Sequence, residues 1–357
     1  MESKEIFSVI TISYNHGKFI EETIKSVICQ KGDFSLEYLI LDGGSTDNTL
    51  AILERYKNLI DEGEIEINCK GIDFRYISEK DKGPTNALNK GLNLVKGEII
   101  GILNSDDLYP PDALENVWEE FKKNKEVEVL YGDIEFIDEK GVPISHKKGK
   151  NKLRVQDFFH ENAIIQPEAF FKKDIIKKVG VFDENFQFAN DYEFWIRCLK
   201  NKIKFKYIPY TLAIFRKRKD ARSSGSNISI FIETLKIQKK YFGKTEQLLR
   251  NIGCYSARYA YEIKSSFEVT FDIFKTKLLQ DGNFLTMQEI KKAKSIGYLK
   301  FSIYTIFENK KEGLKNHIKA IRNYPFIFFT KDNVIFILRI ILFKKGLYFS
   351  IKNFIKS

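Results

Sequence analysis

The chain has 357 residues, 43% hydrophobic and 30% charged, and a formal net charge of +11. That length suits one catalytic-sized domain with an appendage, and 21 Gly and 7 Pro exclude collagen-like or low-complexity character. Its four cysteines (Cys29, Cys69, Cys198, Cys254) form no CxxC pair and its four histidines (His16, His146, His160, His317) do not cluster, which argues against a thiol or imidazole zinc site.

The amino terminus, MESKEIFSVITISYN, runs into a strand-like segment without the basic and long apolar regions of a secretory signal, which favours the cytosolic side. FSVITI (Phe7 to Ile12) is followed by KFIEETIKSVICQ, where Phe19, Ile20, Thr23, Ile24 and Val27 recur at helical spacing. The pattern then repeats. YLILD (Tyr38 to Asp42) precedes a helix near Asn48 to Lys57, FRYIS (Phe74 to Ser78) one near Pro84 to Val95, and EIIGIL (Glu98 to Leu103) one near Pro111 to Asn124. Four strand-then-helix units predict an α/β fold, a mostly parallel sheet with helices on both faces.

From about residue 127 shorter pieces, VEVLYG, EAFF and KFKYI, surround one helix from Ala189 to Lys200, which predicts an antiparallel part of the same domain. RKRKDARSSGSN (Arg216 to Asn227), basic and rich in Ser and Gly, then marks a boundary between a domain of residues 1–225 and a helical, basic region of residues 226–357. Charge divides the same way: residues 1–215 carry 30 Lys+Arg against 37 Asp+Glu, a balance of −7, and residues 216–357 carry 29 against 11, a balance of +18. An acidic half suits a cation site and a basic half an anionic surface, phospholipid or nucleic acid. The longest apolar stretch, Val334 to Phe343, is broken by Arg339 and is far shorter than the roughly 20 residues of a spanning helix.

Polar motifs follow each strand of the first half: SYNHG, DGGSTDNT, SEKDKG and NSDD. In a parallel sheet these loops gather along the carboxyl edge, where ligands bind. Asp106 and Asp107 put two carboxylates at that edge, hard oxygen ligands suited to Mg²⁺ or Mn²⁺ arriving with a diphosphate; the plainer reading is that Ser105 and Asp106 cap the next helix. Asp42 ends an apolar strand, where its carboxylate can accept the imide N–H of a pyrimidine or simply brace an ordinary strand-to-helix turn.

TISYN, LDGGSTDNT, SEKDKG with NALNKGLNLVKGEIIGILNSDD, and VGVFDENFQFANDYEFWIR resemble, in order and spacing over residues 6 to 216, the motifs of the inverting glycosyltransferase family 2. The resemblance implies the GT-A fold, a Rossmann-like mostly parallel sheet with flanking helices, here with the helical basic C-terminal appendage. It implies that Thr11, Tyr14 and Asp42 cradle the base of a nucleotide-sugar, that Asp106 lies near the ribose and that Asp107 binds Mn²⁺ or Mg²⁺. Glu79, Asp81 and Lys82 match the loop bordering the donor's ribose and sugar. Asp191 matches the general base, with Asn190 where the family often has Glu, and with Glu193 as a weaker alternative. After that helix the family often carries an RxH-like segment; this chain has no His there, and Arg216 is the expected phosphate contact, with Arg218 or Arg222 assisting. Gln166 and Pro167 match the acceptor-side loop only loosely.

The resemblance thus implies an inverting, metal-dependent glycosyltransferase of hexosyltransferase type. It would move a sugar from a nucleotide-diphosphate donor, a UDP-sugar by expectation, to a hydroxyl of a glycan or polyprenyl-diphosphate-linked saccharide in cell-surface polysaccharide biosynthesis. Residues 298 to 357 interleave Phe, Ile, Leu and Tyr with Lys and Arg, a pattern for peripheral docking on the inner face of the plasma membrane or for a packed appendage. Nucleic-acid binding is not expected, because no recognisable motif accompanies the basic charge. A nucleotidyltransferase shares paired carboxylates and a metal, but the first strand-to-helix loop lacks its glycine-rich basic signature.

Overall fold

The computed structural model of the chain describes residues 5–159, 162–218, 221, 227–243, 245–279, 285–305 and 308–323. Its contacts divide the chain into two compact units, residues 1–221 and 222–357.

The first unit opens with β1 (Ile6–Ser13), α1 (Ile20–Ile28), β2 (Gly32–Asp42), α2 (Thr49–Asp61), β3 (Cys69–Ser78), α3 (Pro84–Leu94), β4 (Ile99–Ile102) and α4 (Ala113–Lys123). The four strands lie parallel in the order β3-β2-β1-β4. Their near-continuous apolar runs, such as Phe7, Val9 and Ile10 of β1 and Tyr38 to Leu41 of β2, are buried, as strands covered on both faces must be. Winding reverses between β1 and β4, and the loops leaving those strands flank the point of reversal, where α/β sheets open a crevice. β2 begins well before YLILD because its polar Glu37 is buried. Its carboxylate accepts Ser8 Oγ (2.5 Å), the Lys96 N–H (2.7 Å) and the Arg75 guanidinium, so a charge in the sequence hides a strand interior.

The second half adds β5 (Val129–Ile137), β6 (Pro143–Lys147), β7 (Ala169–Lys172), α5 (Ile175–Val179), α6 (Asn190–Lys200) and β8 (Phe205–Arg216). The sheet continues β4-β7-β5-β6, with each of these neighbours antiparallel. The expectation of an antiparallel part fails at β8, which runs parallel to β5 from Val129↔Phe205 to Ile137↔Arg216. A helical connection is what lets a strand return in parallel, and here α6 lies immediately before β8. One face of the sheet is filled by Phe7, Phe34, Trp118 and Phe170, with ring centroids 5.4 to 5.8 Å apart. α6 is anchored by Phe194, stacked on Phe182 at 4.3 Å, and by Trp195 against Phe171. Each such side chain contributes about 1.5–3 kcal/mol by leaving water.

The second unit contains α7 (Ile228–Phe242), α8 (Glu246–Glu262), α9 (Phe267–Leu279), α10 (Met287–Thr305) and α11 (Lys310–Asn323). The sequence writes its starts clearly: Asn227 caps α7, Thr245 caps α8, and Thr286 and Glu289 exchange reciprocal bonds at the start of α10. α8 and α10 cross on glycine, since a Cβ on Gly253 would stand 2.5 Å from the Ala293 carbonyl oxygen and 2.7 Å from the Gly297 nitrogen. Tyr298, Leu299 and Phe301, the start of the stretch expected at a membrane interface, are buried in this bundle. Residues 324–357, the end of that stretch, lie outside the described residues. No described helix is long and apolar enough to cross a membrane.

Candidate active site

Asp42 closes β2 with its side chain turned back over its own loop. Oδ2 accepts the N–H groups of Gly44 (3.1 Å) and Ser45 (2.8 Å) and the Ser78 hydroxyl (2.7 Å) from the end of β3, while Oδ1 takes only the Ser45 hydroxyl and keeps a lone pair. Gly43 lets the three loops meet, because a Cβ there would come within 3.1 Å of Asp81 Oδ2 and 3.4 Å of the Tyr14 ring. Tyr14 is 59% exposed. Asn15 follows with φ of 52°, a left-handed conformation that Asn tolerates better than most residues. It clasps the second loop through its N–H to Ser45 Oγ (2.7 Å) and through Oδ1, which accepts the Thr46 N–H (2.8 Å). Asp42, Asp81 and Tyr14 are thus brought together. Thr11 is not: it is fully buried, its hydroxyl 3.2 Å from Tyr38 in the core, because its position in β1 points it away from the crevice. Glu79 pairs with Lys90 at the surface (2.7 Å), and Lys82 is exposed.

Asp107 lies beyond β4 and is 1% exposed; Oδ1 accepts the Arg216 N–H (3.0 Å) and Oδ2 the Asn104 amide (3.0 Å). Burial and the adjacent negative charge of Asp106 push its pKa well above the ordinary carboxylate range, and the two hydrogen bonds offset this only in part. Arg216 departs from its expected place at a phosphate. It is 2% exposed, and its guanidinium is turned under α1, bonding Glu22 (2.6 Å), the Asp106 carbonyl (3.0 Å) and the Glu139 carbonyl (3.3 Å). Arg218, two residues on and beyond the end of β8, is less deeply buried, its side chain 9% exposed. Arg218 donates Nε to Asp106 Oδ2 (3.0 Å) and Nη2 to His16 Nε2 (3.0 Å), with its guanidinium 4.8 Å from the centre of the Phe19 ring. A guanidinium only donates, so His16 Nε2 accepts and Nδ1–H donates to Ser105 Oγ (2.5 Å). Arg222 lies outside the described residues.

The third part of the site is α6. Segment 182–190 is laced to α3: Asn89 bonds Phe182 through both its amide nitrogen (2.9 Å) and its oxygen (3.0 Å), Thr85 Oγ1 donates to the Phe186 carbonyl (2.8 Å), and Asn190 Nδ2 donates to Thr85 Oγ1 (3.0 Å). Asn190 therefore fastens the start of α6 to the helix that follows the SEKDKG loop. Asp191, next to it, is held by the Tyr192 N–H (2.7 Å), Asn162 Nδ2 (3.1 Å) and the Gln166 N–H. Desolvation raises its pKa against those three bonds, which makes it a better proton acceptor than a solvated aspartate. Glu193 cannot share that role. It is 0% exposed and clasped by Arg197 (2.9–3.2 Å), which also binds the carbonyls of Val179, Gly180 and Val181.

The donor set at Asp106 and Asp107 fits a divalent cation that arrives with its own phosphate ligands. Each Asp107 oxygen keeps a lone pair beside its single hydrogen bond, and the raised proton affinity marks a position short of positive charge. Among the described residues no three His, Cys, Asp or Glu side chains converge as a complete metal cage. His16 and Ser105 are not signalled for this site by the sequence, since a lone His in a turn carries no signal until the fold brings it against Arg218, 202 residues away. Asn162 and Glu168 beside Asp191 escape sequence reasoning in the same way. Gln166 contributes its backbone N–H, a group invisible to residue type.

Residues 8–180 match the family model described as Glycosyl transferase family 2. An uncharacterized glycosyltransferase of Methanocaldococcus jannaschii is 30% identical over 217 residues, 60% of this chain and 71% of that one. The minor teichoic acid biosynthesis protein GgaA of Bacillus subtilis is 25% identical over 226 residues, 61% of this chain and 48% of that one. Among solved structures, the 1–349 fragment of S. aureus TarS in complex with UDP-GlcNAc superposes with a TM-score of 0.53 at 18% identity, covering 89% of each chain.

Proposed function

The chain belongs to glycosyltransferase family 2 and has the GT-A fold, and from that premise we propose that it is an inverting enzyme that moves a sugar from a UDP-sugar to a hydroxyl of a glycan or polyprenyl-diphosphate-linked saccharide. The observation that carries this reading is the tie from Asn190 to Thr85, which fastens the segment bearing Asp191 to the same sheet edge as the donor loops. Tyr14, Asp42 and Asp81 border the base and ribose, with the remaining lone pair of Asp42 Oδ1, beside the Ser45 hydroxyl, as the acceptor for an imide N–H. Arg218, steadied by His16 and Asp106, faces the diphosphate. Asp107, with Asp106, would hold Mn²⁺ or Mg²⁺, which when bound neutralises charge on the leaving diphosphate.

Asp191 takes the proton from the acceptor hydroxyl as its oxygen attacks the anomeric carbon on the face opposite the diphosphate. The bond to the diphosphate oxygen breaks, that oxygen keeps the electron pair, and the configuration inverts. The similarity to GgaA, a minor teichoic acid biosynthesis protein, supports a cell-surface polysaccharide as the pathway product. The +18 balance of residues 216–357 supports a peripheral position at the inner face of the plasma membrane.

A thermal-shift screen against UDP, GDP and dTDP with Mn²⁺, followed by UDP-GlcNAc and other UDP-sugars, tests the donor reading. Stabilisation by UDP above the other two is expected, and a response to none of the three contradicts it. Flotation with anionic liposomes at low and high salt tests the membrane position, which fails if the protein stays in the soluble fraction at both.

A further inference from the structure

Behind Asp191 lies a second buried acid that takes no part in the transfer chemistry above. Glu168 ends the short 3₁₀ turn Gln166–Glu168 and is 1% exposed. Its Oε1 accepts the Ile165 N–H at 2.7 Å, which alone would make it the reciprocal half of a capping box. Its other oxygen, Oε2, is buried and has no hydrogen-bond partner among the described residues, and the same is true of Gln166 Nε2 and Asn162 Oδ1 close by. These three unpaired atoms belong to the loop that supplies Asp191 with two of its three hydrogen bonds, the Asn162 amide and the Gln166 N–H. A turn that needed only a cap has no use for a buried carboxyl oxygen left without a partner.

We propose that Glu168 is a positioning residue of the transfer reaction: by clasping Ile165 it holds the Gln166 N–H and Asn162 on the carboxylate of Asp191, fixing the base for the acceptor hydroxyl. This rests on the reading of Asp191 as the base. The charge state of Glu168 decides whether the clasp works. An ionised carboxylate with one oxygen unpaired would repel Asp191 from the side on which it is held, so the neutral acid is the working form.

The groups acting on Glu168 are Asp133 on β5, Lys147 on β6 and Asp191 on α6, and Tyr131 on β5 senses its charge in turn. Burial pushes its pKa from 4.5 up to about 8, the two aspartates adding to the rise and the Ile165 N–H and Lys147 opposing it. The native state thus keeps a proton that the unfolded chain releases. Glu168 favours folding most below pH 4.5, and that advantage is lost progressively as pH rises toward 8.

The test needs no identified substrate. Carboxyl ¹³C NMR of the full chain with labelled Asp and Glu should show Glu168 titrating near pH 8 and a second inflection in the Asp191 signal at the same pH. Glu168→Gln keeps the Ile165 bond and cannot ionise, so it should lose that inflection and melt progressively higher than the native chain between pH 5 and 8. Glu168→Ala loses the clasp, and the main titration of Asp191 should move up by about 1 unit as its N–H support loosens. Titration of Glu168 below pH 6, or an Asp191 titration unchanged in Glu168→Ala, overturns the proposal. Asp191→Asn with UDP-GlcNAc and Mn²⁺, read as UDP release, keeps the two readings apart: native-like release there sinks the base itself, whereas loss of release beside an unmoved Asp191 titration in Glu168→Ala sinks only the positioning role.

Discussion

Glu193 and Asp191 lie two residues apart on α6, and the structure gives them opposite work. Replacing Glu193 by Ala removes an acid that is 0% exposed and leaves Arg197, whose side chain is 17% exposed, without a counter-charge. The guanidinium would still be held by the carbonyls of Val179, Gly180 and Val181, so it could not swing freely into water. Breaking a buried pair from one side costs about 3–5 kcal/mol, and the residual exposure of Arg197 points to the lower end. For a unit of this size each kcal/mol lowers Tm by about 2–4 °C, so a fall of about 6–12 °C is expected. Differential scanning calorimetry of Glu193→Ala, Glu193→Gln and Asp191→Asn gives the comparison. Glu193→Gln should fall between Glu193→Ala and the native chain. Asp191→Asn should melt at or slightly above the native temperature, because it removes a desolvated carboxyl. If Glu193→Ala melts within about 2 °C of the native chain while Asp191→Asn is the destabilised variant, the division of labour on α6 is reversed.

Three further outcomes are expected. Asp107→Ala should abolish the Mn²⁺ dependence of UDP binding in calorimetry while leaving the fold intact, since the residue it removes is a desolvated acid with a raised pKa. Arg218→Ala should weaken UDP binding by roughly 10- to 100-fold, the worth of about 1.5–3 kcal/mol for a charged hydrogen bond; Arg216→Ala should lower Tm with a smaller effect on UDP affinity, because its partners are Glu22 and two backbone carbonyls. Gly253→Ala should cost the second unit about 1–3 kcal/mol in denaturant unfolding, since the new methyl meets backbone atoms that cannot rotate away. Equal effects of the two arginine variants on UDP affinity, or an unchanged denaturation midpoint for Gly253→Ala, would count against these assignments.

The parallel half of the sheet is legible in the sequence because its strands are buried on both faces and so read as apolar runs, each followed by a loop of Asp, Ser, Asn and Gly. The start of β2 is not, since Glu37 is satisfied by partners distant in sequence, Ser8, Arg75, Lys96 and Gly97, and β6 is not, since PISHK is largely exposed and lacks a buried face. The direction of β8 depends on the crossover through α6, and no residue in KFKYI encodes it. Within the site, acidic residues at strand ends are readable by type. Which arginine turns to the carboxylate of Asp106 is not, because Arg216 and Arg218 are told apart only by partners that the fold supplies, Glu22 for the first and Asp106 with His16 for the second. His16 and Glu168 gain meaning only from partners that the fold supplies.

Whether Asp191 removes the acceptor proton, in a crevice that holds the donor without its help, is decided by single-turnover kinetics. Release of UDP from UDP-GlcNAc with Mn²⁺, or from whichever UDP-sugar stabilises the protein most, compares the native chain with Asp191→Asn at matched occupancy. Unchanged donor affinity and release slowed by about 10²- to 10⁴-fold, the range lost with a general base, are expected. Release at the native rate by Asp191→Asn, with donor fully bound, would contradict the assignment.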